Sequence, residues 1–175
     1  SFVPSAGEIS QLAVAHLESS DKPIVSFGQG CEGEPLLQAG VIEEAIRRIR
    51  NSTSRGTINL NSNASLPASV KRLAQAGLTS IRVSLNSAQE IFYSRYYRPK
   101  NYQFCDVLQS IDIMKQANRF VSLNYFILPG LTDSNAEFDA LCRLLATHKP
   151  DFIQLRNLNM DPEWYLGSLG FQSTD

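Results

Sequence analysis

The chain has 175 residues, of which 43% are hydrophobic and 19% charged, with a formal net charge of -1. That length suits one domain with a real core, and the near-neutral charge gives no electrostatic ground for nucleic acid or an anionic membrane as partner. No apolar run approaches the ~18 residues of a membrane span, and the N-terminal SFVPSAGEIS lacks the basic region and apolar block of a signal peptide.

Helical and extended patterns alternate along the chain. Ser5-x-x-Glu8 has the form of a capping box and opens a helix through about Leu17. A strand is predicted at Ile24–Gly28. It runs into GQGCEGEP, rich in glycine and acid, before the next helix. Ile42, Ala45, Ile46 and Ile49 recur at helical spacing, with Glu43/Arg47 and Glu44/Arg48 as i,i+4 pairs. Thr57–Asn61 reads as a strand. Ser65 and Pro67 start another helix, which Gly77 stops. Ser80–Asn86 is extended, and Phe104, Val107, Leu108, Ile111 and Met114 form a helical stripe. Phe120–Leu128 is extended. Ser134-x-x-Glu137 has the form of a second capping box, followed by Phe138, Leu141, Cys142 and Leu145 on one face. Phe152–Asn157 is the last strand.

The cysteines, Cys31, Cys105 and Cys142, are odd in number and widely spaced. They predict no disulfide framework, a reducing cytoplasm, and no metal centre within the chain. Cys105 and Cys142 fall in or beside helical stripes and are expected to be buried. His16 and His148 read as helix-surface residues, His148 near a helix C-terminus that favours a cation.

Five strands alternating with helices make successive βα units, which need parallel pairing and right-handed crossovers. The strands are apolar on one side only. Ile81, Val83 and Leu85 oppose Arg82, Ser84 and Asn86; Ile58 and Leu60 oppose Asn59 and Asn61; Val121, Leu123 and Tyr125 oppose Ser122 and Asn124; Ile153 and Leu155 oppose Gln154 and Arg156. A doubly wound sheet, covered on both faces, gives nearly continuous apolar runs instead. The expected fold is therefore α/β: a partial, open, parallel βα barrel, TIM-like, with five strands of a (β/α)6 core over residues 1–160 and a tail over 161–175. A polar interior needs water or a polar ligand, because each unpaired buried group costs roughly 1–3 kcal/mol. The alternative is a sheet with one solvated face.

Ligands of such folds bind where strands end. Glycine there lets backbone approach a ligand, and Glu34 can accept from an ammonium, with Pro35 holding it extended. Asn63 tolerates left-handed geometry, so part of the signal in NLNSNAS is turn chemistry. Asn61, Ser84 and Asn86 point inward by parity and suit hydroxyls or a carboxylate. Asn124, Gln154 and Arg156, inward on later strands, are expected to face substrate, and Arg156 can fork onto a carboxylate or phosphate.

These segments resemble the core of the radical S-adenosylmethionine (radical SAM) enzymes over nearly the whole chain. CEGEPLL is similar to the family's Gly-Gly-Glu-Pro turn, with Gly33, Glu34 and Pro35 in place and Glu32 for the first glycine. LNSNAS resembles the Thr-Asn-Gly segment, with Asn61, Ser62 and Asn63 in those positions. VSLNSAQEIFYSRYYRP resembles the Ser-Leu-Asp pattern with its aromatic and basic continuation. Asn86 stands there for the aspartate that meets ribose, and Arg98 takes the basic position. NYFILPGLTDS resembles the following strand and turn, which would set backbone at Leu128 and Pro129 near adenine.

The resemblance implies S-adenosylmethionine as cofactor. In the parent protein it also implies a [4Fe-4S] cluster and an external electron donor, used to form a 5′-deoxyadenosyl radical that abstracts hydrogen from a small-molecule or peptide substrate. The family's Cys-x3-Cys-x2-Cys loop has no match here, and Cys31 does not replace it. The resemblance therefore implies a shortened chain, or one whose upstream segment lies outside this sequence, inactive as written. A partial barrel would also leave a sheet edge for dimerisation. Two other functions remain open: a non-catalytic binding module on the same fold, and a cluster-free barrel enzyme. The second would want an inward lysine or paired acids, and Lys71 and Lys115 fall on helices.

Overall fold

The computed structural model describes residues 3–29, 33–157 and 160–171. Gly30, Cys31 and Glu32, in the glycine-rich turn, lie outside the described residues. Five strands form one sheet: β1 (Ile24–Phe27), β2 (Thr57–Ser62), β3 (Ser80–Leu85), β4 (Phe120–Ile127) and β5 (Phe152–Asn157). They pair in chain order, all parallel. The helices are α1 (Ala6–Ser19), α2 (Ala39–Ser52), α3 (Pro67–Ala76), α4 (Glu90–Tyr97), α5 (Phe104–Gln116), α6 (Asn135–His148) and α7 (Pro162–Leu169), with a 3-10 turn at Pro35–Gln38. This is the expected open parallel βα sheet. None of its described helices is long and apolar enough to cross a membrane.

The apolar parity of the strands builds the core. Ile58, Leu60, Ile81, Val83, Leu85, Val121 and Leu123 are fully buried beneath Ile46 and Ile49 of α2, Leu73 of α3, and Val107, Ile111 and Met114 of α5. Each such side chain contributes about 1.5–3 kcal/mol of burial. Local signals act as expected at three places. Ser5 and Glu8 form a reciprocal capping box. Arg47 and Arg48 reach Glu43 and Glu44. Gly77 closes α3 at φ 118°.

Three sequence expectations are corrected: the burial of Cys105 and Cys142, the buried face of α6, and the second capping box. Cys105 and Cys142 are exposed. The buried face of α5 runs Phe104, Val107, Ser110, Ile111 and Met114, one position off Cys105. In α6 the buried face is Glu137, Ala140 and Leu144, a rotation by one residue that leaves Phe138 61% exposed. Ser134 does cap Glu137 N, but the Glu137 side chain turns away to other donors and closes no box. The left-handed residue after β2 is Ala64, at φ 56°, not Asn63. The short helices α4 and α7 have no counterpart among the predicted elements; α4 buries Tyr93, and α7 buries Tyr165 and Leu169.

Candidate functional site

Row by row, the register stacks the polar parity on the inner face: Ser26, Asn59 and Ser80; then Asn61, Arg82 and Ser122; then Ser84, Asn124 and Gln154. Part of this face satisfies itself. Asn59 Nδ2 donates to Ser26 Oγ at 3.3 Å and to Asn61 Oδ1 at 3.0 Å. Ser80 Oγ donates to Asn59 Oδ1 at 2.8 Å, and Asn61 Nδ2 lies 3.4 Å from Gly28 O. The β1–β2 half is thus a closed hydrogen-bond network that needs no ligand to meet the cost of burial. Asn61 braces the neighbouring strand through it.

At the rim of this half, Gly28 has φ 74°, and a Cβ there would collide with the carbonyl oxygen of Asn61. The chain then turns at Gly33, φ 90°, into Glu34. The Glu34 carboxylate ties two loops together: Oε1 accepts from Leu36 N at 2.9 Å and Ser62 Oγ at 2.6 Å, and Oε2 accepts from Asn63 N at 2.8 Å. A carboxylate has about four lone-pair sites, so Oε2 keeps one for a further donor. Ser62 Oγ also accepts from Ala64 N at 2.9 Å, and Ser110 Oγ holds Ala64 O at 2.7 Å. Ser62 therefore works within the clasp. Pro35, with Gly33 and Glu34, lines a cleft of about 630 Å³ that reaches Pro4 and Ile9.

The β3–β4 half is different. Asn86 is fully buried; its Nδ2 donates to Phe92 O and to Tyr165 Oη, each at 3.1 Å. The Phe92 carbonyl fixes which way the amide points, and Oδ1 is left without a partner among the described residues. Asn124 Oδ1, on the adjacent strand, is likewise buried and unpartnered. Two orphan acceptors, one just past β3 and one on β4, call for a donor from water or a ligand. Ser84 stands in register with Asn124, as does Gln154.

An aromatic cover lies over this end. Phe126 has inward parity on β4, and its ring meets Tyr96 of α4 at 5.9 Å; Tyr96 meets Tyr165 of α7 at 5.4 Å, and Phe92 meets Phe171 at 5.6 Å. Burial pushes the Tyr165 hydroxyl up to about 12, with the Asn86 bond opposing. Behind the same loop, Glu137 accepts from Ser87 Oγ at 2.7 Å, Ala88 N at 2.5 Å, Gln89 Nε2 at 2.8 Å and the Tyr125 hydroxyl. Sequence reasoning missed Tyr96, Phe126, Tyr165 and Glu137. Strand parity alone puts Phe126 on the inner face with Asn124; Glu137 carried only the signal of a capping box, and the strand pattern says nothing of Tyr96 and Tyr165.

The remaining candidates are less enclosed. Arg98 ends α4 in a left-handed conformation and is exposed. Leu128 has its N–H on Thr132 Oγ1 at 3.0 Å and its carbonyl accepting from Leu131 and Thr132 N–H. Those backbone groups are spent on the turn, and Pro129 beside them is exposed. Arg156, in register with Phe126, is exposed at the end of β5. Among the described residues no group of three or more His, Cys, Asp or Glu converges as a metal site. Cys105 and Cys142 stand exposed on separate helices, and Cys31 lies outside the described residues. These residues do not fit a [4Fe-4S] cluster.

The whole chain superposes on Streptococcus suis SuiB bound to S-adenosylmethionine with a TM-score of 0.67 at 12% identity, spanning 38% of that protein. SuiB bound to precursor peptide SuiA also gives 0.67, over 36% of that protein's length. A radical SAM methyltransferase from Sphaerobacter thermophilus gives 0.60 at 19% identity, with 98% of this chain and 57% of that one covered. The chain thus spans well under two thirds of these relatives. At such identities the likeness concerns the fold. The sequence profile of the radical SAM superfamily matches residues 3–144, and the chain belongs to that superfamily.

Proposed function

We propose that the strand ends β1–β4 hold S-adenosylmethionine, within a radical SAM enzyme acting on a small-molecule or peptide substrate. One observation carries this reading: the two buried acceptors, Asn86 Oδ1 and Asn124 Oδ1, which suit a pair of ribose hydroxyls. The spare lone pair of Glu34 Oε2 suits the methionyl ammonium, and the Gly33–Pro35 turn presents it. Ser84 adds a hydroxyl beside Asn124, and the rings of Tyr96, Phe126 and Tyr165 exclude water above them. Ser62 and Asn61 position these groups, while Leu128 and Pro129 offer the adenine apolar contact and Arg98 a cation at the outer rim. Gln154, Arg156 and the amide nitrogen of Asn124 face substrate. When bound, S-adenosylmethionine supplies a 5′-deoxyadenosyl radical on reductive cleavage of its carbon–sulfur bond, with a [4Fe-4S] cluster ligated outside these residues and an external electron donor. The SuiB complex with a precursor peptide supports a peptide among the substrate classes.

A second reading is a cluster-free small-molecule-binding module, which would use the same two buried acceptors for a polar ligand. Calorimetric titration with S-adenosylmethionine tests the shared claim. Saturable binding, weakened several-fold by Asn124→Ala, is expected; no binding to folded protein overturns it. Anaerobic reconstitution with iron and sulfide, then assay for 5′-deoxyadenosine, separates the two readings. Product favours the enzyme, and binding without product or cluster absorbance favours the module.

A further inference from the structure

The inner face of the sheet carries two arginines, Arg82 and Arg156, and no aspartate or glutamate on any of its five strands. This is a local excess of positive charge in a chain whose formal net charge is -1. Arg82 sits at the middle of β3, between Asn61 and Ser122 in register. It is half-buried. Among the described residues it has no carboxylate within ion-pair distance and no hydrogen-bond partner, whereas Arg47, Arg48, Arg55 and Arg72 each reach a glutamate. Its neighbours offer no countercharge. Asn61 is committed to Gly28 and Asn59, and Ser122 Oγ turns to the carbonyl of Ile81.

We propose that Arg82 anchors an anionic oxygen group of the substrate, a carboxylate or phosphate, in the interior of the sheet. This rests on the reading of the strand ends as the S-adenosylmethionine site. Arg82 lies four residues before Asn86, about 13 Å lower at roughly 3.3 Å per residue. A group held by its guanidinium therefore sits beneath the cofactor and is not the cofactor's own carboxylate. S-adenosylmethionine carries a sulfonium, an ammonium and one carboxylate, a net cation. Closing it over Arg82 and Arg156 places like charges together in a space losing its water, which disfavours a neutral or cationic substrate and favours an anion. The planar fork of Arg82 matches a carboxylate or phosphate in two parallel hydrogen bonds. Arg156, higher on the face and exposed, meets the incoming anion first.

The test uses 15N–1H spectra of arginine Nε–Hε groups in the protein with saturating S-adenosylmethionine, titrated with sodium succinate, inorganic phosphate or neutral succinamide at constant chloride. The Arg82 resonance is expected to move saturably with succinate or phosphate and not with succinamide, the tighter of the two anions naming the group. Arg82→Gln should weaken anion binding at least tenfold and leave S-adenosylmethionine affinity within twofold; Arg82→Lys should retain an intermediate affinity, as a point charge without the fork. The proposal is overturned if S-adenosylmethionine binds but neither anion moves the resonance, or if Arg82→Gln binds anions as the parent does. If S-adenosylmethionine fails to bind while anions still bind through Arg82, the cofactor reading falls and the anion site stands. Should Arg82→Gln not fold, the resonance of the parent protein decides.

Discussion

Glu137 of α6 accepts a hydrogen bond from Ser87 Oγ at 2.7 Å, across fifty residues of chain. Three more donors meet the same carboxylate, so the loop that carries Asn86 is pinned from the helical side of the sheet. Glu137→Gln swaps one acceptor oxygen for a donor facing other donors. It should cost about 2–3 kcal/mol, read as a lower urea midpoint at constant slope. Tyr125→Phe, which removes one donor of four, should cost about 1 kcal/mol. Equal midpoints for Glu137→Gln and the parent would show that the loop does not depend on this pin.

The Glu34–Ser62 bond, at 2.6 Å, joins the turn after β1 to the turn after β2. Ser62→Ala frees one side of that carboxylate and leaves Ala64 N without its acceptor. A loss of about 1 kcal/mol is expected in denaturant unfolding, with weaker S-adenosylmethionine binding as the turn loosens. Unchanged affinity alongside reduced stability would confine Ser62 to a fold-supporting role.

The tyrosines give the protein an alkaline limit. Burial raises Tyr93, Tyr97 and Tyr125, and sets Tyr165 at about 12. A folded-state value above the unfolded ~10 means that stability is fully present below pH ~10 and is lost as pH rises through the folded value. Absorbance at 295 nm should therefore report these tyrosines ionising together with loss of the far-ultraviolet circular dichroism signal, above pH ~10. Independent titration near pH 10 with the fold intact would contradict their burial.

Among the described residues β1 and β5 pair on one side only, and Ile24 and Leu155 on them are 59% and 60% exposed. Such edges template association. Light scattering should show mass rising with concentration, and Leu155→Lys should reduce it. A clean monomer at high concentration would count against edge pairing.

Alternation made most of the fold legible. The five predicted strands match those observed within about two residues, because one-sided apolar parity and the turns between strands leave little freedom. The inward set was legible for the same reason, and Asn61, Arg82, Ser84, Asn124 and Gln154 do share rows on one face. Which of them stay free for a ligand was not. Parity puts Asn59 and Asn61 on one face, but it does not say that they hydrogen-bond each other and so spend their polar atoms. Glu137 was hidden by a local pattern that gave it a different partner. Its true contacts, at Ser87 and Tyr125, depend on α6 rotating by one position against the sheet. Ala64 takes the strained conformation because Ser62 and Ser110 hold it on both sides, although the adjacent asparagine tolerates it more readily.

The most direct test of the account is a crystal structure of the protein with S-adenosylmethionine bound. The ribose hydroxyls are expected within ~3.2 Å of Asn86 Oδ1 and Asn124 Oδ1, with the ammonium on Glu34 Oε2. Cofactor density on the helical side of the sheet, or a fully occupied cofactor that leaves both asparagine oxygens unpartnered, would contradict it.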